Sequence, residues 1–163
     1  MAERAAEEEE MTYDAKTKDR TRTDFLVVHC SASPPKTFVD ASVIDRWHRQ
    51  RGFKCIGYHK VILRDGTVQD GRPLDQIGAH VEGWNSVSLG ICLVGGVSDK
   101  DGVTPENNFT EAQFASLEVL LKELQEKYPK AKIQGHRDFP KVAKACPSFS
   151  VADWLKTTDI KNR

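Results

Sequence analysis

The chain has no excess of charge of either sign. Its 24 lysines and arginines are matched by 24 aspartates and glutamates, for a formal net charge of zero. A protein dedicated to nucleic acid carries a basic excess that neutralises phosphates, so direct nucleic-acid binding is not the default reading. The chain also has no apolar run near the roughly 20 residues that a membrane-spanning helix needs. Stable membrane insertion is therefore not expected. The opening residues MAERAAEEEE contain no apolar segment of the kind found in a secretory signal. The expectation is a protein that accumulates in the cytoplasm of the cell that makes it. Closely spaced cysteine pairs are missing too: Cys30, Cys55, Cys92 and Cys146 are scattered. In a reducing compartment such cysteines read as free thiols rather than as a disulfide framework.

What is present suits one domain. A chain of 163 residues with 39% hydrophobic content can bury a core without staples. Residues 1–22 carry a glutamate run followed by the basic stretch KTKDRTR, with no apolar periodicity. They read as a flexible charged tail ahead of a domain spanning 23–163.

Within that domain, apolar patterns alternate between two kinds. Phe25 to Val28 is a continuous, largely β-branched run and predicts a buried strand. Asp40 is placed to cap a helix with Val43, Ile44 and Trp47 on its apolar face, ended by Gly52. Tyr58 to Leu63 predicts a strand, and Arg64-Asp65-Gly66-Thr67 predicts a hairpin into a return strand from Val68. Residues 71–86 read as loop, and Leu89 to Val94 as another buried strand closed by Gly95-Gly96. Thr110 and Gln113 form a capping-box pattern opening a long helix. Its apolar positions are Phe114, Leu117, Leu120, Leu121, Leu124 and Tyr128, and Pro129 stops it. Lys132 to Gln134 predicts a last strand, and Ser150 a cap for a short helix carrying Trp154 and Leu155. Interleaved helices and strands give an α/β class, with a central mixed β-sheet flanked by helices.

Three metal-ligand residue types stand where loops leave strands. His29 ends the first strand, His136 ends the last, and Cys146 follows ten residues later in KACPS. Two imidazoles and a thiolate satisfy a catalytic zinc, which uses three protein ligands and keeps one position open. Their wide separation leaves the bland alternative standing, two surface histidines and a buried thiol. Among the other candidates, His48 reads as a surface residue, and His59, beside Tyr58, as structural. Trp47 and Trp154 read as core.

The fragments VVHCSAS, GYHKVILRDGTVQDGR, GAHVEGWNSVSLGICLVGG, FTEAQFASLEVLL and GHRDFPKVAKACPSF occur in this order, spread over the domain from about Asp24 to about Leu155. They closely resemble the zinc amidase family, the N-acetylmuramoyl-L-alanine amidases that include phage endolysins and, more distantly, animal peptidoglycan recognition proteins. The resemblance implies one Zn²⁺ per chain in a surface groove, held by His29, His136 and Cys146. It implies catalytic roles for Tyr58 and Lys144. It places the loop bearing His80 and Trp84 near the substrate, so both become candidate substrate contacts. The implied reaction is cleavage of the amide between N-acetylmuramic acid and the L-alanine of the peptidoglycan stem. Members that recognise peptidoglycan without cutting it typically lose the cysteine ligand, which is retained here as Cys146. The alternative reading is such a non-catalytic module. The resemblance also brings in a second partner, since one phage member binds and inhibits its phage RNA polymerase. A phage enzyme without an export signal would reach the wall after the host membrane is permeabilised.

Overall fold

A computed structural model describes residues 19–162. Most of the proposed tail, residues 1–18, lies outside the described residues. Asp19 bridges to Gln76, and the Arg20 N–H donates to the Asp75 carbonyl at 2.6 Å, so the described chain begins against the 71–86 loop.

Among the described residues five strands form one sheet: β1 (Phe25–Cys30), β2 (Lys60–Ile62), β3 (Val68–Asp70), β4 (Ser88–Leu93) and β5 (Lys132–Gly135), in the order β3-β2-β4-β1-β5. β2, β4, β1 and β5 run parallel, while β3 returns antiparallel at the edge through the expected hairpin. Parallel strands covered on both faces read as continuous apolar runs. β1 and β4 show this, being almost entirely buried. The sheet is mixed, as expected.

Among the described residues three α-helices cover it: α1 (Ala41–Gln50), α2 (Glu111–Lys127) and α3 (Val151–Leu155). Each opens on a side-chain cap, from Asp40, Thr110 and Ser150 respectively. Because side chains alternate along a strand, each strand serves two cores. Leu26 and Val28 of β1, with Leu89, Ile91 and Leu93 of β4, meet Leu117, Leu120, Leu121 and Leu124 of α2. On the opposite face, Val61, Cys92 and Val94 meet Val43 and Ile44 of α1. Val27 meets Val81 and Phe139 there.

Gln113 ties the first core to the sheet. It is fully buried, and its amide donates to the Ile62 carbonyl at 3.1 Å and the Val94 carbonyl at 2.9 Å. Its side-chain oxygen accepts from the Thr110 N–H at 3.0 Å, completing the capping box. No helix among the described residues is long and apolar enough to cross a membrane.

Two expectations need correction. The strand expected over Tyr58 to Leu63 is regular only over Lys60–Ile62. Before it, Tyr58 and His59 still bond to their neighbours, His59 N–H to the Gly90 carbonyl and the Gly71 and Arg72 N–H groups to the His59 and Tyr58 carbonyls, while the buried Arg72 side chain bonds to the carbonyls of Ile56, Cys55 and Ile77. His48, expected at the surface, is only 7% exposed, and its Nδ1 accepts the Gly57 N–H at 2.8 Å. It lies four residues after Ile44, on the apolar side of α1, so helical periodicity already pointed inward.

Candidate metal centre and active site

Parallel pairing decides where the chemistry collects. β1, β4 and β5 run the same way, so their C-terminal ends share one edge of the sheet. Val28 pairs with Gly135, which puts His29 and His136 one step beyond a paired position. Their rings stand 4.6 Å apart between centroids. The chain after β5 turns through a short 3₁₀ helix (His136–Asp138) and folds back over the same edge. Cys146 is fixed there from both sides. Its carbonyl accepts the Arg137 N–H at 2.9 Å, and its Sγ accepts the Cys30 N–H at 3.2 Å.

The ligand atoms of His29, His136 and Cys146 all lie within 4.8 Å of one another, with Cys146 Sγ 3.8 Å from His29 Nδ1. Atoms bonded at about 2.0–2.3 Å to one tetrahedral centre stand roughly 3.3–3.8 Å apart. The cluster therefore fits a three-ligand site after a small inward adjustment. The protonation states fit as well. Burial, reinforced by the neighbouring histidines and Lys144, holds His29 well below the usual imidazole range. Burial and then Lys144 lower His136. Both rings are thus neutral, the form that binds a metal. The Cys146 thiol is pushed up by its contact with the Cys30 thiol and by burial, so a cation binding there must displace a proton.

Tyr58 faces the cluster, with its ring 5.0 Å from that of His29 and 5.4 Å from that of His48. Burial and the surrounding cysteines push its phenol well above the ordinary range. The phenol therefore keeps its proton and is a hydrogen-bond donor. Lys144 is exposed, two residues before Cys146, and its charge reaches both His29 and His136.

The 71–86 loop supplies the remaining candidates. His80 Nδ1 lies 2.9 Å from His29 Nε2. Asn85 orders the turn, its Oδ1 accepting the N–H groups of His80 at 2.8 Å and Val81 at 2.9 Å. Trp84 is half-buried, edge-on to Phe25 at 5.6 Å and tilted against Phe139 at 5.3 Å. His59 is buried and structural: Nδ1 accepts the Gly90 N–H at 3.0 Å and Nε2 donates to the Gln76 carbonyl at 2.8 Å. Sequence reasoning did not single out Ser88 or Gly90, although a glycine inside a strand signals a close approach by another group. All four cysteines are free thiols.

A hydrolytic α/β domain with a His-His-Cys cluster at the strand ends is what this arrangement defines. The match to known proteins is specific: residues 19–149 fit the N-acetylmuramoyl-L-alanine amidase family, and the chain belongs to it. It is 45% identical to an endolysin of Enterobacteria phage K11, over 86% of this chain and 91% of that one. It is 42% identical to an endolysin of Escherichia phage T7, over 88% of this chain and 92% of that one. Among solved structures it is similar to an endolysin N-acetylmuramoyl-L-alanine amidase of Clostridium intestinale. That match has a TM-score of 0.76 and 26% identity, covering 91% of each chain.

Proposed function

We propose that this chain is a phage-type endolysin that hydrolyses the amide between N-acetylmuramic acid and the stem L-alanine of peptidoglycan, with one Zn²⁺ held by His29, His136 and Cys146. The observation that carries the metal assignment is the gathering of those three ligand atoms within 4.8 Å from three separate parts of the chain. What a zinc ion supplies at such a site is polarisation of a carbonyl and ionisation of water near neutral pH.

The chain's own residues do the rest. As the amide carbonyl is attacked, its oxygen becomes anionic and needs donors already in place. Tyr58, held protonated by burial, offers its phenol O–H. Lys144 brings a positive charge on the side from which the 139–149 segment folds over the cluster. Trp84 offers its open edge to the sugar or the peptide. Such an enzyme, made in the host cytoplasm, acts on the wall once the membrane is breached. The phage RNA polymerase as a second partner rests on the family resemblance alone.

The competing reading is a module that binds peptidoglycan without cutting it. The two separate on permeabilised bacteria. The amidase clears the suspension, and Cys146→Ser does not, while still sedimenting with wall fragments. A wild-type protein that binds walls but leaves turbidity unchanged would establish the module instead.

A further inference from the structure

The direction of three consecutive hydrogen bonds can be read from one end. Ser88 has a single hydroxyl proton, and it goes to the Trp84 carbonyl at 2.8 Å, since a carbonyl only accepts. The Ser88 oxygen, 3.3 Å from His80 Nε2, must therefore accept there. His80 then carries its proton on Nε2 and presents a lone pair at Nδ1. That lone pair faces His29 Nε2 at 2.9 Å, so His29 must be the donor. A neutral His29 protonated on Nε2 has its lone pair on Nδ1, the atom that faces Cys146 Sγ.

The sheet is built to admit the ring in the middle of this chain. A Cβ on Gly90 would stand 2.7 Å from His80 Cγ, and one on Gly78 would stand 2.8 Å from His80 Cδ2. Glycine within a strand weakens it. At Gly90 that cost is offset by letting His80 lie against β4, its ring nearly perpendicular to that of His29. Asn85 then pins the His80 backbone.

We propose that the Trp84 carbonyl, Ser88 and His80 form a hydrogen-bonded relay that locks His29 in its Nε2–H tautomer, aiming Nδ1 at the metal position. Ser88 and His80 are thus positioning residues for the metal centre. The inference rests on the zinc reading for its purpose but not for its geometry. Removing such an outer partner of a ligating histidine typically weakens metal binding about 10–100-fold.

The test reads the tautomers directly. Long-range proton–nitrogen correlation spectra of the ¹⁵N-labelled, metal-free protein report which ring nitrogen of His29 and of His80 bears hydrogen. Zinc affinity is measured in parallel by competition with a chelator, on wild type, Ser88→Ala, Ser88→Thr and His80→Phe. The expected result is Nε2–H on both rings in wild type and a mixed His29 tautomer in Ser88→Ala and His80→Phe. Zinc binding should be about 10–100-fold weaker in His80→Phe and recover toward wild type in Ser88→Thr relative to Ser88→Ala. Ser88→Thr keeps the hydroxyl and guards against a mere packing defect in Ser88→Ala. An Nδ1–H tautomer of His29 in the metal-free wild type would overturn the relay. So would a His80→Phe protein that folds and binds zinc with wild-type affinity. A wild-type protein with the expected tautomers that binds no zinc would leave the relay standing and overturn the metal assignment instead.

Discussion

His59 should make the protein acid-sensitive by an amount that follows from its surroundings. The ring is 1% exposed, and both nitrogens are already committed. Nε2 donates to the Gln76 carbonyl, and Nδ1 accepts from the Gly90 N–H. A second proton has to go onto Nδ1, where it would meet a donor rather than an acceptor. Burial is the main cause that lowers this imidazole from 6.5 to about 4. The unfolded chain therefore takes up its proton first. Above the unfolded value both states are neutral and the stability is whole. It falls as the pH drops from about 6.5 toward about 4 and levels off below that. A gap of that size, at about 1.36 kcal/mol per pKa unit, amounts to about 3 kcal/mol. The assay is urea denaturation of the metal-free protein at about pH 7.5, 5.5 and 4, on wild type and His59→Gln, which retains an amide donor and acceptor without a titrating ring. The wild type should lose about 3 kcal/mol more than the variant across that range. An NMR titration placing His59 near its ordinary value, or equal losses in the two proteins, would show that burial of His59 does not set the acid sensitivity.

Other outcomes follow from the same geometry. Cys146→Ser should abolish tight zinc binding and turnover while leaving the thermal stability of the metal-free protein close to wild type, checked by metal analysis and calorimetry. Zinc affinity in the wild type should rise with pH, because binding displaces the Cys146 proton; competition titrations at several pH values would show it. Tyr58→Phe and Lys144→Ala should keep zinc and fold but lose about 10²–10³ in rate, the usual loss for one oxyanion donor. Gln113→Ala should destabilise the fold by about 3 kcal/mol, because the Ile62 and Val94 carbonyls lose a buried donor; urea denaturation measures this. Removing residues 1–18, just ahead of the Asp19 bridge, should leave hydrolysis unchanged in a turbidity assay.

Much of the fold was legible because each signal was local. The capping box at Thr110, the Asp65-Gly66 turn and the unbroken apolar runs of β1 and β4 each name their element within a few residues. The buried bonds from Arg72 back to the Ile56 and Cys55 carbonyls, 16 and 17 positions away, were not legible, because nothing local marks an arginine as buried. The metal cluster shows both sides. Residue types and strand-end positions marked His29 and His136, but their proximity depends on β1 and β5 being parallel neighbours, which periodicity does not encode. His48 differs for another reason: its polar ring suggests exposure, whereas its helical position faces the core. The bond from His80 to His29 crosses fifty-one positions and leaves no trace in spacing. Its one local sign was a glycine at position 90 inside a strand.

The proposed enzyme cuts one particular bond with a metal held by His29, His136 and Cys146. The most direct measurement treats a defined muropeptide with purified protein and reads the products by mass spectrometry, before and after metal removal by a chelator and after zinc is restored. The expected products are an intact glycan bearing a free lactyl carboxylate and a stem peptide with L-alanine at its amino terminus. Both products should vanish on chelation and return with zinc. Cleavage between the sugars or within the stem peptide, or cleavage indifferent to zinc, would contradict it.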